Sequence, residues 1–171
     1  MTHRAVFPIP IDAPGTLAIV TRPRGAEWLI DDLEQLALDG VETVVSLLAI
    51  DEQVELGLEN ESALCALHGL RYSNVPVPDL GSPPDADRFV GEVREIVSAV
   101  RAARNVAVHC RQSIGRSGLF AVSVVVALGA TLDRALADVS EARGVPVPET
   151  QAQLDWLQEN VGRLSGVSND V

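Results

Sequence analysis

At 171 residues, 47% of them hydrophobic and only 4% aromatic, the chain is long enough for one domain with an aliphatic core and too apolar to be disordered. A formal net charge of -11 excludes the basic footprint that nucleic acid or an anionic membrane surface requires, so any phosphate must be met by a few local positive groups. Two cysteines, Cys65 and Cys110, are too few for a disulfide framework, and all 13 basic residues are Arg, a composition that fits a GC-rich bacterial genome.

Met1 to Pro10 is short and Pro-interrupted and does not read as a leader. Thr16–Thr21 is expected to form a strand. Trp28–Leu38 places Leu29, Leu33, Leu36 and Ala37 on one helical face and is stopped by Gly40. Val41–Leu48 is a β-branched run that predicts a buried parallel strand. A helix is expected over about Asn60–His68, with His68 near its C-terminal end, and Leu70–Val77 reads as extended. Ser82-Pro83-Pro84-Asp85 resembles a capping box opening a helix to about Arg104. Asn105–His109 predicts a strand and Gly115–Leu128 a helix. Thr131 is expected to cap a helix to Arg143, and Glu149–Leu164 supplies the last. The apolar run Leu119–Leu132 is broken by Gly129 and falls short of a membrane span. The alternation predicts a single α/β domain over 1–171, a mostly parallel sheet with helices on both faces. Its core would cover about residues 15–165, with a loose tail over 166–171. A soluble protein of the cytoplasm is expected.

Chemistry concentrates after the strand Val106-Ala107-Val108, in His109-Cys110-Arg111-Gln112-Ser113-Ile114-Gly115-Arg116-Ser117-Gly118. A loop between a strand end and a helix N-terminus aims several backbone N–H groups at one point, with the positive end of the helix dipole behind them. That geometry suits an oxyanion of phosphate size, and Gly115 and Gly118 are expected to permit the tight backbone it needs. A thiol in the same field is favoured as thiolate, so Cys110 is expected to be the nucleophile. Arg116, six positions on, can hold two phosphate oxygens in its planar fork. The Ser117 hydroxyl can bond the sulfur. His109 is expected to order the loop through its imidazole.

This segment resembles the signature of the protein tyrosine phosphatase superfamily, Cys-x5-Arg-Ser preceded by His. The compact size is similar to its dual-specificity branch, especially small bacterial and archaeal members. The resemblance implies a dual-specificity phosphatase-like fold and hydrolysis of phosphomonoesters on protein tyrosine, and on serine or threonine, through a phosphocysteine. No metal or organic cofactor is implied. Substrate contacts would come from Arg111, Gln112, Ser113, Ile114, Gly115 and Arg116. A general acid is needed to protonate the leaving oxygen. Asp79, in Val77-Pro78-Asp79-Leu80-Gly81-Ser82-Pro83, matches the family's acid loop, with Asp85 and Asp87 as rivals. Gln153 matches the family's water-orienting Gln, with Gln151 as rival. Some members pair a second Cys with the nucleophile under oxidation, whereas Cys65 lies on an apolar stretch that favours plain core packing. Expected partners are a phosphorylated protein or small phosphomonoester, without nucleic acid or membrane, and a monomer suffices. A sulfurtransferase, an arsenate reductase and a non-catalytic phosphate-binding module are the alternatives.

Overall fold

Five strands build one sheet in the computed structural model, which describes residues 4–167. They are β1 (Val6–Ile9), β2 (Thr16–Val20), β3 (Thr43–Ser46), β4 (Arg71–Asn74) and β5 (Asn105–His109), in the spatial order β1-β2-β5-β3-β4. The β2–β5, β5–β3 and β3–β4 pairs are parallel, and β1 joins the edge antiparallel, with Phe7 opposite Ile19. β1 is not expected from the sequence, because Pro8 interrupts it. An edge strand tolerates Pro, since one side of its backbone has no ladder to feed.

Seven helices are described: α1 (Leu29–Leu38), α2 (Ile50–Glu55), α3 (Glu61–Leu67), α4 (Ala86–Arg101), α5 (Gly115–Ala127), α6 (Leu132–Arg143) and α7 (Gln151–Gly166). A 3-10 turn at Ala26–Trp28 leads into α1, and α2 was not anticipated. β3 and β4 are shorter than the extended runs Val41–Leu48 and Leu70–Val77, because ladder pairing ends at Ser46 and Asn74. The cap before α4 also differs. Asp85, not Ser82, caps it, its Oδ1 accepting from Arg88 N at 3.0 Å. Pro84 disfavours a helical conformation at Pro83, so the helix waits until both prolines have passed. Thr131 caps α6 as expected, accepting from Arg134 N. Gly166 and Val167 do not belong to the loose tail expected over 166–171: α7 runs through Gly166, and Val167 is fully buried. The remaining tail positions lie outside the described residues.

Strand alternation divides the core into two clusters. Val106 and Val108 of β5 join one, with Ile19, Val45, Phe89, Phe120 and Leu157, under α4 to α7. Ala107 joins the other, with Val44, Leu33, Leu36, Leu58 and Cys65, under α1 to α3. Every residue of α5 is buried, as expected for a helix apolar on all sides. Aromatic residues are few but concentrated. Phe89 stands edge-on to Phe120 at 5.5 Å and to Trp156 at 5.0 Å, which joins α4, α5 and α7.

Gly115 and Gly118 do not serve through a left-handed backbone, since neither has a positive φ. They serve by close approach. A Cβ on Gly118 would sit 2.7 Å from Val147 Cβ, so α5 lies directly against the segment that leads to α7. Gly118→Ala should therefore destabilise the fold by about 1–3 kcal/mol, read as a lower midpoint in urea denaturation.

Candidate active site

The C-terminal ends of β3, β4 and β5 share one edge of the sheet, and the segments that follow them meet there. Continuing the alternation of β5 sends His109 to the α1–α3 side and Cys110 to the α4–α7 side. His109 Nε2 accordingly meets Glu61 Oε1 of α3 at 2.8 Å, both side chains fully buried.

The loop from Cys110 to Ile114 turns at Ser113, which has φ 54. Two hydrogen bonds hold this left-handed residue, and a ring contact steadies the partner of one of them. The Ser113 hydroxyl donates to Val20 O at 2.6 Å, its carbonyl accepts from Arg143 Nε at 2.6 Å, and the Arg143 guanidinium lies 4.0 Å over the Phe7 ring. Among the described residues, none accepts a hydrogen bond from the backbone N–H groups of residues 111–117. The loop and the first turn of α5 thus form a row of donors with no protein acceptor, a nest suited to an oxyanion.

Cys110 is 2% exposed, and its Sγ lies 3.2 Å from Ser117 Oγ. Arg116, also 2% exposed, faces Glu52 with both terminal nitrogens, Nη1 to Oε2 at 2.6 Å and Nη2 to Oε1 at 3.0 Å. Nη1 also donates to Val77 O at 3.0 Å, and Nη2 lies 3.1 Å from Asp79 Oδ1. The guanidinium therefore joins α5, α2 and the segment after β4. Burial alone would raise the Glu52 carboxyl, but the Arg116 bonds, the Ala49 N–H at 3.1 Å and the charges of Arg116 and Arg111 outweigh it. They hold Glu52 below the usual carboxylate range. For Arg116, burial acts to lower the pKa and the surrounding acids prevail, raising it.

Asp79 stands at the rim, more than half exposed, its Oδ1 accepting from Leu80 N at 3.1 Å. Its rivals lie elsewhere in function: Asp85 caps α4, and Asp87 pairs with Arg163 at 2.5 Å. Gln153 is fully buried beside Gly115, donating to Gly81 O at 3.0 Å and accepting from Glu149 N and Thr150 N. A Cβ on Gly115 would come within 3.1 Å of its Oε1. Gln151 is exposed and donates to Asp155, away from the loop. Cys110, Ser117, Arg116, Asp79 and Gln153 are therefore brought to one place.

The remaining loop residues divide. Arg111 lines the adjacent cleft of about 450 Å³ with Ala49, Asp51, Pro76, Pro78 and Pro84, but its side chain is not free: it pairs with Glu55. Gln112 is exposed, and Ile114 is half-buried. The buried Ser113 hydroxyl is spent on Val20, so Ser113 offers substrate only its backbone. Cys65 belongs to the core cluster on the opposite face of the sheet from Cys110, and both thiols are free. Burial, with the Glu61 charge, pushes the Cys65 thiol up to about 12, so it packs as a hydrophobe. No cluster of metal-ligating side chains occurs among the described residues. No described helix is long and apolar enough to cross a membrane.

Sequence reasoning missed Glu52, Glu61 and Arg143. Each reaches the loop from at least 30 residues away, and no local pattern marks it.

Comparison with known proteins accords with this geometry. A family model described as "Polymorphic toxin system, DSP-PTPase phosphatase" matches residues 18–130. The chain belongs to this phosphatase family. It is 25% identical over 136 residues to cyclin-dependent kinase inhibitor 3 of Rattus norvegicus, covering 78% of this chain and 64% of that protein's length. Among solved structures, kinase associated phosphatase superposes with a TM-score of 0.85 at 18% identity, covering 96% of this chain and 98% of that one. Tk-PTP in its active form gives a TM-score of 0.72 at 26% identity with the same coverage. The fold is that of the dual-specificity-like tyrosine phosphatases.

The depressed Glu52 carboxyl has a consequence for acid stability. Its contribution is complete above the unfolded-state value and is lost as pH falls through the lower folded-state value. Glu52→Gln should flatten the fall in urea-unfolding free energy below about pH 4.5, the ordinary value for this carboxyl, while lowering stability at pH 7.

Proposed function

We propose that the chain is a cysteine-dependent phosphatase that hydrolyses phosphomonoesters on protein side chains through a phosphocysteine at Cys110. The observation that carries this reading is that the Cys110 sulfur, the buried Arg116 guanidinium and the unengaged amides of residues 111–117 belong to one loop and the first turn of α5, with the sulfur and the guanidinium close enough to interact electrostatically.

In the first step the Cys110 sulfur attacks phosphorus, an S–P bond forms, and the P–O bond to the leaving group breaks. Asp79 gives its proton to the leaving oxygen. Arg116 and the loop amides hold the three equatorial oxygens. The Arg116 Nε has no protein acceptor among the described residues, while Nη2 is shared with Asp79. A phosphate bridging Nε and Nη2 would displace the Asp79 carboxyl group, which takes up a proton once it leaves the guanidinium and carries that proton to the leaving oxygen. In the second step water, oriented by Gln153, gives a proton to Asp79 and attacks phosphorus. The S–P bond breaks, and the Ser117 hydroxyl stabilises the departing sulfur at its 3.2 Å contact. His109, fixed by Glu61, orders the start of the loop.

One catalytic domain that includes β1 and runs to α7, over about residues 4–167, is the unit that performs this reaction. The cleft beside the loop is open and about 450 Å³, which favours phosphotyrosine together with phosphoserine and phosphothreonine. Two unpaired cysteines suit a reducing compartment such as a bacterial cytoplasm. The net charge of -11 supports a protein substrate over an anionic membrane surface.

Two substitutions test the reading. Cys110→Ser should lower kcat on 4-nitrophenyl phosphate by at least about 10³-fold while inorganic phosphate still binds, measured by calorimetry. Asp79→Asn should slow phenyl phosphate by about 10²-fold or more and 4-nitrophenyl phosphate far less, because only the poorer leaving group needs the proton. Equal slowing of both esters would remove Asp79 from the acid role. Thiosulfate and arsenate should not be turned over.

A further inference from the structure

The flank of the candidate phosphate seat carries one more cation than Arg116, and that cation is engaged. Arg111 lines the cleft, yet its two terminal nitrogens meet Glu55, Nη1 to Oε2 at 3.1 Å and Nη2 to Oε1 at 2.5 Å. Nη1 also lies 3.7 Å from Glu52 Oε1. This paired fork is the strongest geometry available to a guanidinium and a carboxylate. Around it the cleft is acidic. Asp51 lines it, exposed and without an ion pair among the described residues, and Asp79 stands opposite. Glu149 sets Oε2 close to Gly115, where a Cβ would lie 2.8 Å away. Glu55 itself remains 61% exposed, so its charge faces any bound chain.

We infer that Glu55 is a positioning residue that withholds Arg111 from substrate, so that the site selects phosphorylated segments flanked by basic side chains and rejects polyanions. This rests on the phosphatase reading above and names the substrate class for that same site. A phosphoryl group at Cys110 takes its neutralising donors from residues 111–117 and Arg116. Further negative charge on the substrate would find Arg111 held by Glu55 and would meet Asp51, Glu55 and Glu149. An Arg or Lys two or three positions from the phosphorylated side chain would meet the same carboxylates favourably.

The test uses matched phosphotyrosine peptides, one with Arg flanks and one with Glu flanks, together with a soluble inositol polyphosphate, at low salt. The full chain should show a kcat/KM about three- to tenfold higher on the Arg-flanked peptide, the scale of one or two partly screened charges. That preference should shrink as salt rises. Glu55→Gln should narrow or invert the ratio, mainly through a lower KM for the Glu-flanked peptide. Adding Arg111→Ala to Glu55→Gln should cancel that gain, because the freed guanidinium is then gone. Each ratio is taken within one preparation, so a loss of folded protein cancels, and a purely structural role for Glu55 would leave the ranking unmoved. Equal rates on both peptides, a ranking unchanged in Glu55→Gln, or preference for the inositol polyphosphate would overturn the inference. Failure to hydrolyse any phosphomonoester, 4-nitrophenyl phosphate included, would instead overturn the phosphatase reading itself.

Discussion

The buried ion pair between Arg116 and Glu52 is the constraint on which the site depends. A guanidinium at 2% exposure cannot stand alone, since the desolvation of an uncompensated charge costs several kcal/mol. Glu52 supplies both oxygens, and Val77 O takes a further N–H. The pair therefore fixes the plane of the guanidinium before any substrate arrives. It also ties together three pieces that are distant in sequence: the first turn of α5, the short helix α2, and the segment after β4 that carries Asp79. The pair contributes placement of charge more than net stability.

The second organising element is the alternation of side chains along β5. Because successive residues face opposite sides of the sheet, His109 and Cys110 part company at the strand's end. His109 enters the α1–α3 side and finds Glu61, while Cys110 enters the loop under α5. The Cys110 backbone is thus anchored through its neighbour on the far side of the sheet. The same parity separates Cys65 from Cys110, and plain core packing of Cys65 follows from it.

Much of this was legible in the sequence, for reasons that differ by element. The strand Asn105–His109 and the cap at Thr131 are local matters of branched side chains and a hydroxyl acceptor, and local patterns report them well, whereas the last helix starts at Gln151 behind a Thr150 cap and not at Glu149. The juxtaposition of Asp79 with the Cys110 loop follows from parallel strands sharing one edge. Other features depend on contacts that spacing cannot encode. Glu52 reads as an ordinary acidic residue until Arg116 is folded against it 64 positions away. Ser113, rather than a glycine, takes the left-handed turn, because Val20 and Arg143 hold it there, with Phe7 steadying Arg143. Gly115 and Gly118 read in the sequence as residues that permit a tight loop backbone and prove to be clearance for Glu149, Gln153 and Val147. The cap of α4 moved to Asp85 through the conformational restriction of two successive prolines.

The start of α7 is stitched to the segment bearing Asp79. Thr150 Oγ1 donates to Leu80 O at 3.0 Å, and Gln153 Nε2 donates to the next carbonyl, Gly81 O, also at 3.0 Å. The Asp79 segment and the final helix are therefore mechanically one body, and the connector from Gly144 to Glu149 sets where that body rests. Lengthening this connector would shift the Asp79 carboxyl relative to the Cys110 loop without altering a residue of either segment, which makes it a natural adjustment screw for divergence within the fold.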